Sequence, residues 1–178
     1  MIKTSIVNVV ATADLGQEID LCELRRFGEI FHDSDVYGGR VAYFKSSGME
    51  GKVSIFFSGK MISVGTKSEE KAFHELECAK EFLVERGFAT AIQLQPKIRN
   101  IVMTADFGET INLEELCESS KMIYEPEQFP GGILRINEPY RTTALIFASG
   151  KAVVAGITSS DQIKSIVQKL LDVMKACK

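Results

Sequence analysis

Short β-rich runs, each sorted by a period of two, dominate this chain. Ile6 to Ala13 reads as a strand, with Val7, Val9 and Ala11 on one face and Asn8, Val10 and Thr12 on the other. Ile98 to Ala105 repeats the pattern. Val53 to Val64 contains Ser58-Gly59-Lys60 between two β-rich runs, which predicts a hairpin, and Thr142 to Ala155 does the same. In the first hairpin Phe56, Ser58, Lys60, Ile62 and Val64 share a face, leaving Val53, Ile55, Phe57 and Met61 to face helices. The period then changes. Asp20 caps a short helix from Leu21 to about Phe27, and Asn112 caps another from Leu113 to about Cys117. Ser68-Glu69-Glu70 opens a longer helix with Phe73, Leu76, Ala79, Phe82 and Leu83 on one side and Gly87 as its stop. Ser159-Ser160-Asp161 opens the last, with Ile163, Ile166, Val167, Leu170, Leu171 and Met174 as its stripe.

These elements come twice. At a shift of 92, Ile6, Asn8, Val10, Thr12, Ala13, Asp14 and Gly16 recur as Ile98, Asn100, Val102, Thr104, Ala105, Asp106 and Gly108. At a shift of 91, Ser58-Gly59-Lys60 recurs as Ser149-Gly150-Lys151, and Gly65 as Gly156. The first half thus carries one extra residue between Tyr37 and Phe56. The division predicted is 1–92 and 93–178, two copies of one unit rather than a solenoid. With helices on one side only, the sheet would expose Val10, Phe56, Val64, Val102, Leu145, Phe147 and Val153. An apolar patch of that kind marks a binding surface. A sheet covered on both faces is the alternative, and the pattern by itself leaves it open.

Composition narrows the class. Of 178 residues, 45% are hydrophobic and 25% charged, too apolar for a disordered chain. No apolar run is long enough to span a membrane, and Met1 to Ser5 has no signal-peptide core. Cys22, Cys78, Cys117 and Cys177 lack metal-ligand spacing, and His32 and His74 stand alone. Reduced cysteines used as small buried hydrophobes, in an intracellular and cytoplasmic protein, are the expectation. No catalytic triad, Cys-His pair or metal set can be drawn, so no enzyme is expected. Glu69-Glu70 and Glu114-Glu115 sit in first helical turns, where the macrodipole accounts for them. A net charge of -3 argues mildly against nucleic acid. The charges are sorted, however. Residues 36–67 hold five basic residues against Glu50, and residues 131–158 hold three against Glu138.

The duplicated Asn-x-Val strand and Ser-Gly-Lys hairpin resemble the TATA-binding-protein family, in its archaeal, tail-less form. The second copy carries the fuller match, through Tyr124-Glu125-Pro126-Glu127-Gln128-Phe129-Pro130-Gly131, Glu138-Pro139 and Leu145-Ile146-Phe147. The resemblance implies an α+β saddle, one curved antiparallel sheet of about ten strands with four helices on the convex face. It implies a general transcription initiation factor that binds the minor groove of TATA-box promoter DNA, kinks it and recruits transcription factor B and RNA polymerase. No cofactor, metal or membrane is implied, and a homodimer through the concave face is a further partner it allows. Asn8 and Asn100 would donate to base acceptors. Val10, Ile62, Val64, Val102, Leu145, Val153 and Ala155 would line the groove. Phe129 and Phe147, with Pro130, would wedge one base step, and Tyr37 and Phe56 the other. Ser58, Lys60, Arg135, Arg141, Ser149 and Lys151 would hold phosphates. Glu125, Glu127 and Gln128 would dock transcription factor B.

The first copy departs from the family pattern. Tyr37 replaces a wedge Phe, Tyr43 stands where an Arg matching Arg135 is expected, and Ser54 replaces an apolar residue like Leu145. Val64 and Ala155 replace Thr, and the first stirrup lacks Glu-Pro-Glu. The second half should therefore grip DNA more firmly than the first. The alternative is a divergent paralogue with weakened bending that acts as a protein-interaction or regulatory factor.

Overall fold

The computed structural model describes residues 2–175. In chain order the elements are β1 (Lys3–Asp14), α1 (Leu21–Leu24), β2 (Ile30–His32), β3 (Val41–Phe44), β4 (Lys52–Phe56), β5 (Lys60–Thr66) and α2 (Glu69–Glu85). There follow β6 (Lys97–Asp106), α3 (Leu113–Ser119), β7 (Gly131–Ile136), β8 (Thr142–Phe147), β9 (Lys151–Ile157) and α4 (Ile163–Lys175). The chain forms two compact units, Asn8–Arg99, and Met1–Val7 with Asn100–Lys178. In the first, strands run in the order β2-β3-β4-β5-β1. In the second, β6-β9-β8-β7 follow the opening residues of β1. The pairings within each are antiparallel.

Nine strands form among the described residues, against the ten or so anticipated. The counterpart of β2 is a single bridge, Ile123 to Ile133, with hydrogen bonds of 2.9 and 2.8 Å. The chain turns away immediately afterwards. Gln128 and Phe129 both donate their N–H to the Glu125 carbonyl, and Pro126, directly after Glu125, has no N–H for a ladder. Helix α1 is also shorter than expected. It ends at Leu24, because the Phe27 N–H closes a tight turn on the Leu24 carbonyl. The Phe27 ring then packs edge-on against Phe82 and Phe88.

Alternation decides which face is buried. Val9, Ala11, Val53, Ile55 and Met61 are fully buried, as a helix-covered sheet face requires. Phe57 breaks the expected set and is 48% exposed. Strand β4 has ended at Phe56, so the pleat no longer dictates where Phe57 points. Its backbone instead ties loops together, donating to Arg40 and accepting from Ile19. The described cysteines are free, but Cys22 is exposed and Cys78 and Cys117 half-buried, so they are not the buried hydrophobes anticipated. Burial, then the charges of Glu81 and Glu75, raise the Cys78 thiol above its ordinary pKa. Cys177 lies outside the described residues.

One buried acidic side chain stands out in the first unit. Glu75 of α2 is 3% exposed. Its carboxylate accepts from the Gly51 N–H at 2.8 Å and from the Ser63 hydroxyl at 3.3 Å. That ties the loop before β4, and strand β5, to the helix behind them. A Cβ on Gly51 would lie 2.1 Å from the Val64 carbonyl oxygen, so only glycine can bring its N–H this close. At the matching places of the second unit stand Ile166, Thr142 and Val154, with Ile166 and Val154 fully buried. Glu75→Ala should destabilise the fold by ~3 kcal/mol, because it orphans two buried donors and leaves a cavity. Glu75→Gln should cost only about 1 kcal/mol. Denaturant midpoints of the two variants check this.

Candidate nucleic-acid interface

The face of each sheet turned away from the buried core is lined by half-buried residues. In the first unit these include Asn8, Val10, Thr12, Ser54, Phe56, Ile62 and Val64. In the second they include Asn100, Val102, Thr104, Leu145, Phe147, Val153 and Ala155. Register places them in matching rows. Phe31, Tyr43, Ser54, Ile62 and Thr12 stand opposite one another on successive strands. Ile123, Ile133, Leu145, Val153 and Thr104 form the same row in the other unit. The surface is mostly apolar, with a short hydroxyl or amide at intervals.

The two asparagines are locked by the ladder itself. Strand β5 has one extra residue opposite Val10, and β9 one opposite Val102. Each bulge contains a glycine at positive φ, Gly65 at 98° and Gly156 at 93°. The N–H freed at the first bulge goes to Asn8 Oδ1 at 2.8 Å, and that at the second to Asn100 Oδ1 at 2.7 Å. An N–H donor must meet the carbonyl end of an amide. Each Nδ2 amino group is therefore turned away from the bulge, with its protons free to donate.

Aromatic side chains differ between the units. Phe129 and Phe147 pack with ring centroids 5.9 Å apart. Gly131 makes that possible, since a Cβ there would lie 2.9 Å from a Phe129 ring carbon and 3.0 Å from one of Phe147. Pro130 beside them is exposed. In the first unit Val41 takes the place of Gly131, pairing with Phe56 as Gly131 pairs with Phe147. Tyr37 is four residues before Val41, whereas Phe129 is two before Gly131. Tyr37 sits in a turn at φ 51° and is 76% exposed. The structure pairs the second couple of aromatics and leaves Tyr37 out in solvent.

Register also corrects the assignment of Tyr43. It pairs with Ser54 as Ile133 pairs with Leu145, so its counterpart is Ile133. Lys45, just beyond β3, stands in the place of Arg135. The hairpin between the strands of the first unit is one residue shorter than in the second, and counting along the sequence alone conceals this. Tyr43 belongs to a cluster that the sequence reading missed. Its ring stacks on Phe31 at 6.3 Å, and Lys52 Nζ lies 4.5 Å over it. Phe31 is 61% exposed. The available signal was its spacing of 92 from Ile123, which puts both on one row.

The polar candidates lie at the margins. Ser58, Lys60, Ser149 and Lys151 are exposed at the hairpin ends. Arg135 and Arg141 are brought together on a cleft of about 350 Å³ that also includes Ala155 and Gly156. Glu50 occupies the matching place to Arg141 and is paired with Lys71. The hydrogen bond from Lys71, chiefly, holds the Glu50 carboxyl below its ordinary pKa. Glu125, Glu127 and Gln128 are exposed on the turn before Phe129.

A family model described as "Transcription factor TFIID (or TATA-binding protein, TBP)" matches residues 3–84 and again 95–177. The chain belongs to the TATA-binding-protein family. A TATA-box-binding protein of Cenarchaeum symbiosum is 41% identical over 162 residues, covering 89% of this chain and 87% of the relative. One from Methanocaldococcus jannaschii is 35% identical, with 96% and 92% covered. The solved structure of Methanococcus jannaschii TBP superposes with a TM-score of 0.85 at 32% identity, covering 97% of this chain and 98% of that one. The fold is thus the TATA-binding-protein fold, and the family is one of DNA-binding transcription factors, not of enzymes.

Gly131→Ala should force the Phe129 and Phe147 rings apart. It is expected to destabilise the protein by ~1–3 kcal/mol through overpacking. Gly132→Ala should also be harmful, because its Cβ would meet the Met122 sulfur at 2.2 Å. Thermal unfolding of the two variants, with near-ultraviolet circular dichroism of the phenylalanines, reads both effects.

Proposed function

We propose that this chain is a general transcription initiation factor that binds the minor groove of TATA-box promoter DNA. One observation carries the reading: Asn8 and Asn100, each with its carbonyl held by a bulge glycine, present amino groups from a half-buried apolar face. The A·T minor groove offers acceptors alone, whereas G·C adds an amino donor. Two fixed donors suit the first, and the surrounding Val10, Ile62, Val102 and Val153 offer nothing to a guanine amino group, so G·C is disfavoured. Phe129 and Phe147, already packed as a pair, would enter one base step as a double wedge, with Pro130 beside them. Ser58, Lys60, Arg135, Arg141, Ser149 and Lys151 would contact the backbone. Glu125, Glu127 and Gln128 would dock transcription factor B, through which RNA polymerase is recruited.

A second reading has its own support. Tyr37 is exposed and out of register with Phe129, so the first unit lacks a ready wedge pair. A factor that bends DNA weakly and acts through protein contacts would fit this.

Gel shifts on a TATA duplex, with and without transcription factor B, test both. Asn100→Asp keeps an acceptor for Gly156 but removes the donor and adds charge. It should weaken binding by ~10- to 100-fold. Phe129→Ala should cost a similar factor, and Tyr37→Ala less than about threefold. Equal losses at Phe129 and Tyr37 would sink the asymmetry. Supershift by transcription factor B with no bend in end-labelled DNA fluorescence would favour the second reading.

A further inference from the structure

The end of β1, the start of β5 and the segment leading into β6 enclose a cleft of about 610 Å³. Lys60, Lys97 and Arg99 line it, together with Asp14, Ser58 and Thr12. Arg99 Nε donates to Thr12 Oγ1 at 2.8 Å. Thr12 belongs to the half-buried row that also holds Ile62, so the cleft borders the proposed DNA face. Using Nε to anchor the side chain leaves the two terminal amino groups of the guanidinium as a free planar fork. Such a fork matches two oxygens of one phosphate.

The positive charge here is in excess, three basic side chains against the carboxylate of Asp14. Among the described residues no carboxylate forms an ion pair with Lys60, Lys97 or Arg99. Asp14 stands opposite Lys60 on the ladder, and its Oδ1 accepts the Gly16 N–H at 2.9 Å, which turns that oxygen toward the loop. The matching places in the second unit are chemically different. At the shift of 92, Arg99 corresponds to Val7 and Lys97 to Ser5. Lys151 corresponds to Lys60, and Lys3 stands where the first unit has Gln95. Thr104, the counterpart of Thr12, turns its hydroxyl to the Ser5 carbonyl instead of holding a guanidinium.

We propose that Arg99, Lys97 and Lys60 form a seat for one DNA backbone phosphate that has no equivalent in the other half, and that this contact biases the direction in which the chain lies on its site. The inference rests on the minor-groove reading and deepens it. A near-repeat protein on a near-symmetric A·T site has little to distinguish its two orientations. A guanidinium on one side alone, facing a uniformly charged backbone, supplies a difference where flanking geometry allows only one end to reach it.

The test uses the full chain and a TATA duplex, with dissociation constants measured over a range of salt. Arg99→Ala should lower the slope of log affinity against log salt by about one, with a similar loss on every TATA variant. Lys97→Ala should do likewise, and Arg99→Lys should keep the slope. Single methylphosphonates placed along each strand locate the contact. Neutralising the seated phosphate should weaken the wild type and leave Arg99→Ala no weaker than before, at one end of the site only. An unchanged slope, a loss confined to particular base pairs, or a methylphosphonate penalty as large in Arg99→Ala as in the wild type would overturn the seat alone. A wild type that fails to bind the duplex at any salt would overturn the DNA reading and the seat together.

Discussion

An N–H that a bulge frees from a β-ladder is open to a side-chain acceptor, and that contact shapes the open face of each unit. Gly65 and Gly156 carry such groups, and Asn8 and Asn100 accept them. Both glycines are exposed, so each of these hydrogen bonds contributes on the order of 0.5–1.5 kcal/mol. The asparagines thus have a structural part of their own. Because the same hydrogen bond fixes which end of the amide is inward, structural need and directional display come from one contact. Pre-setting the amide in this way removes rotamer entropy that binding would otherwise have to overcome.

Around that contact, alternation does the sorting. Residues one step along each strand go into the core, where Val9, Ile55, Met61, Met103 and Ile146 are fully buried. Their neighbours form the apolar, half-buried rows. Because a one-residue slip would exchange the faces, register is strongly specified in both units. The bulges are the sanctioned exception, and they occur at the same place in each copy.

Much of this was legible in the sequence, because it is local. Period-two runs, Ser-Gly-Lys turns, helix caps at Asp20, Asn112 and Ser68, and the shift of 92 are written in consecutive residues. The hidden part depended on where the chain gains or loses a residue between strands. The place of Tyr43 opposite Ser54, the distance of Tyr37 from β3, and the Phe31–Tyr43–Lys52 cluster all follow from pairing register, which counting along one strand cannot supply. The turn of Phe57 into solvent has the same origin, since a pleat predicts side-chain direction only while the strand lasts. The bulge hydrogen bonds were hidden in another sense. Asn8 and Gly65 are 57 residues apart, and nothing in either neighbourhood announces the other.

The buried carboxylate of Glu75 has a consequence for how a duplicated chain assembles. Two copies with near-identical strands and helices of similar length risk exchanging parts during folding, as repeat proteins do. If α2 docked on the second sheet, its carboxylate would meet Val154 and Thr142 in place of Ser63 and Gly51. If α4 docked on the first sheet, Ile166 would leave those two donors without an acceptor. The second mistake would leave the Gly51 N–H and the Ser63 hydroxyl unmatched, whereas in the native pairing Glu75 accepts from both. Glu75 is thus matched to the polar groups of the first sheet, where the apolar Ile166 of α4 would not be.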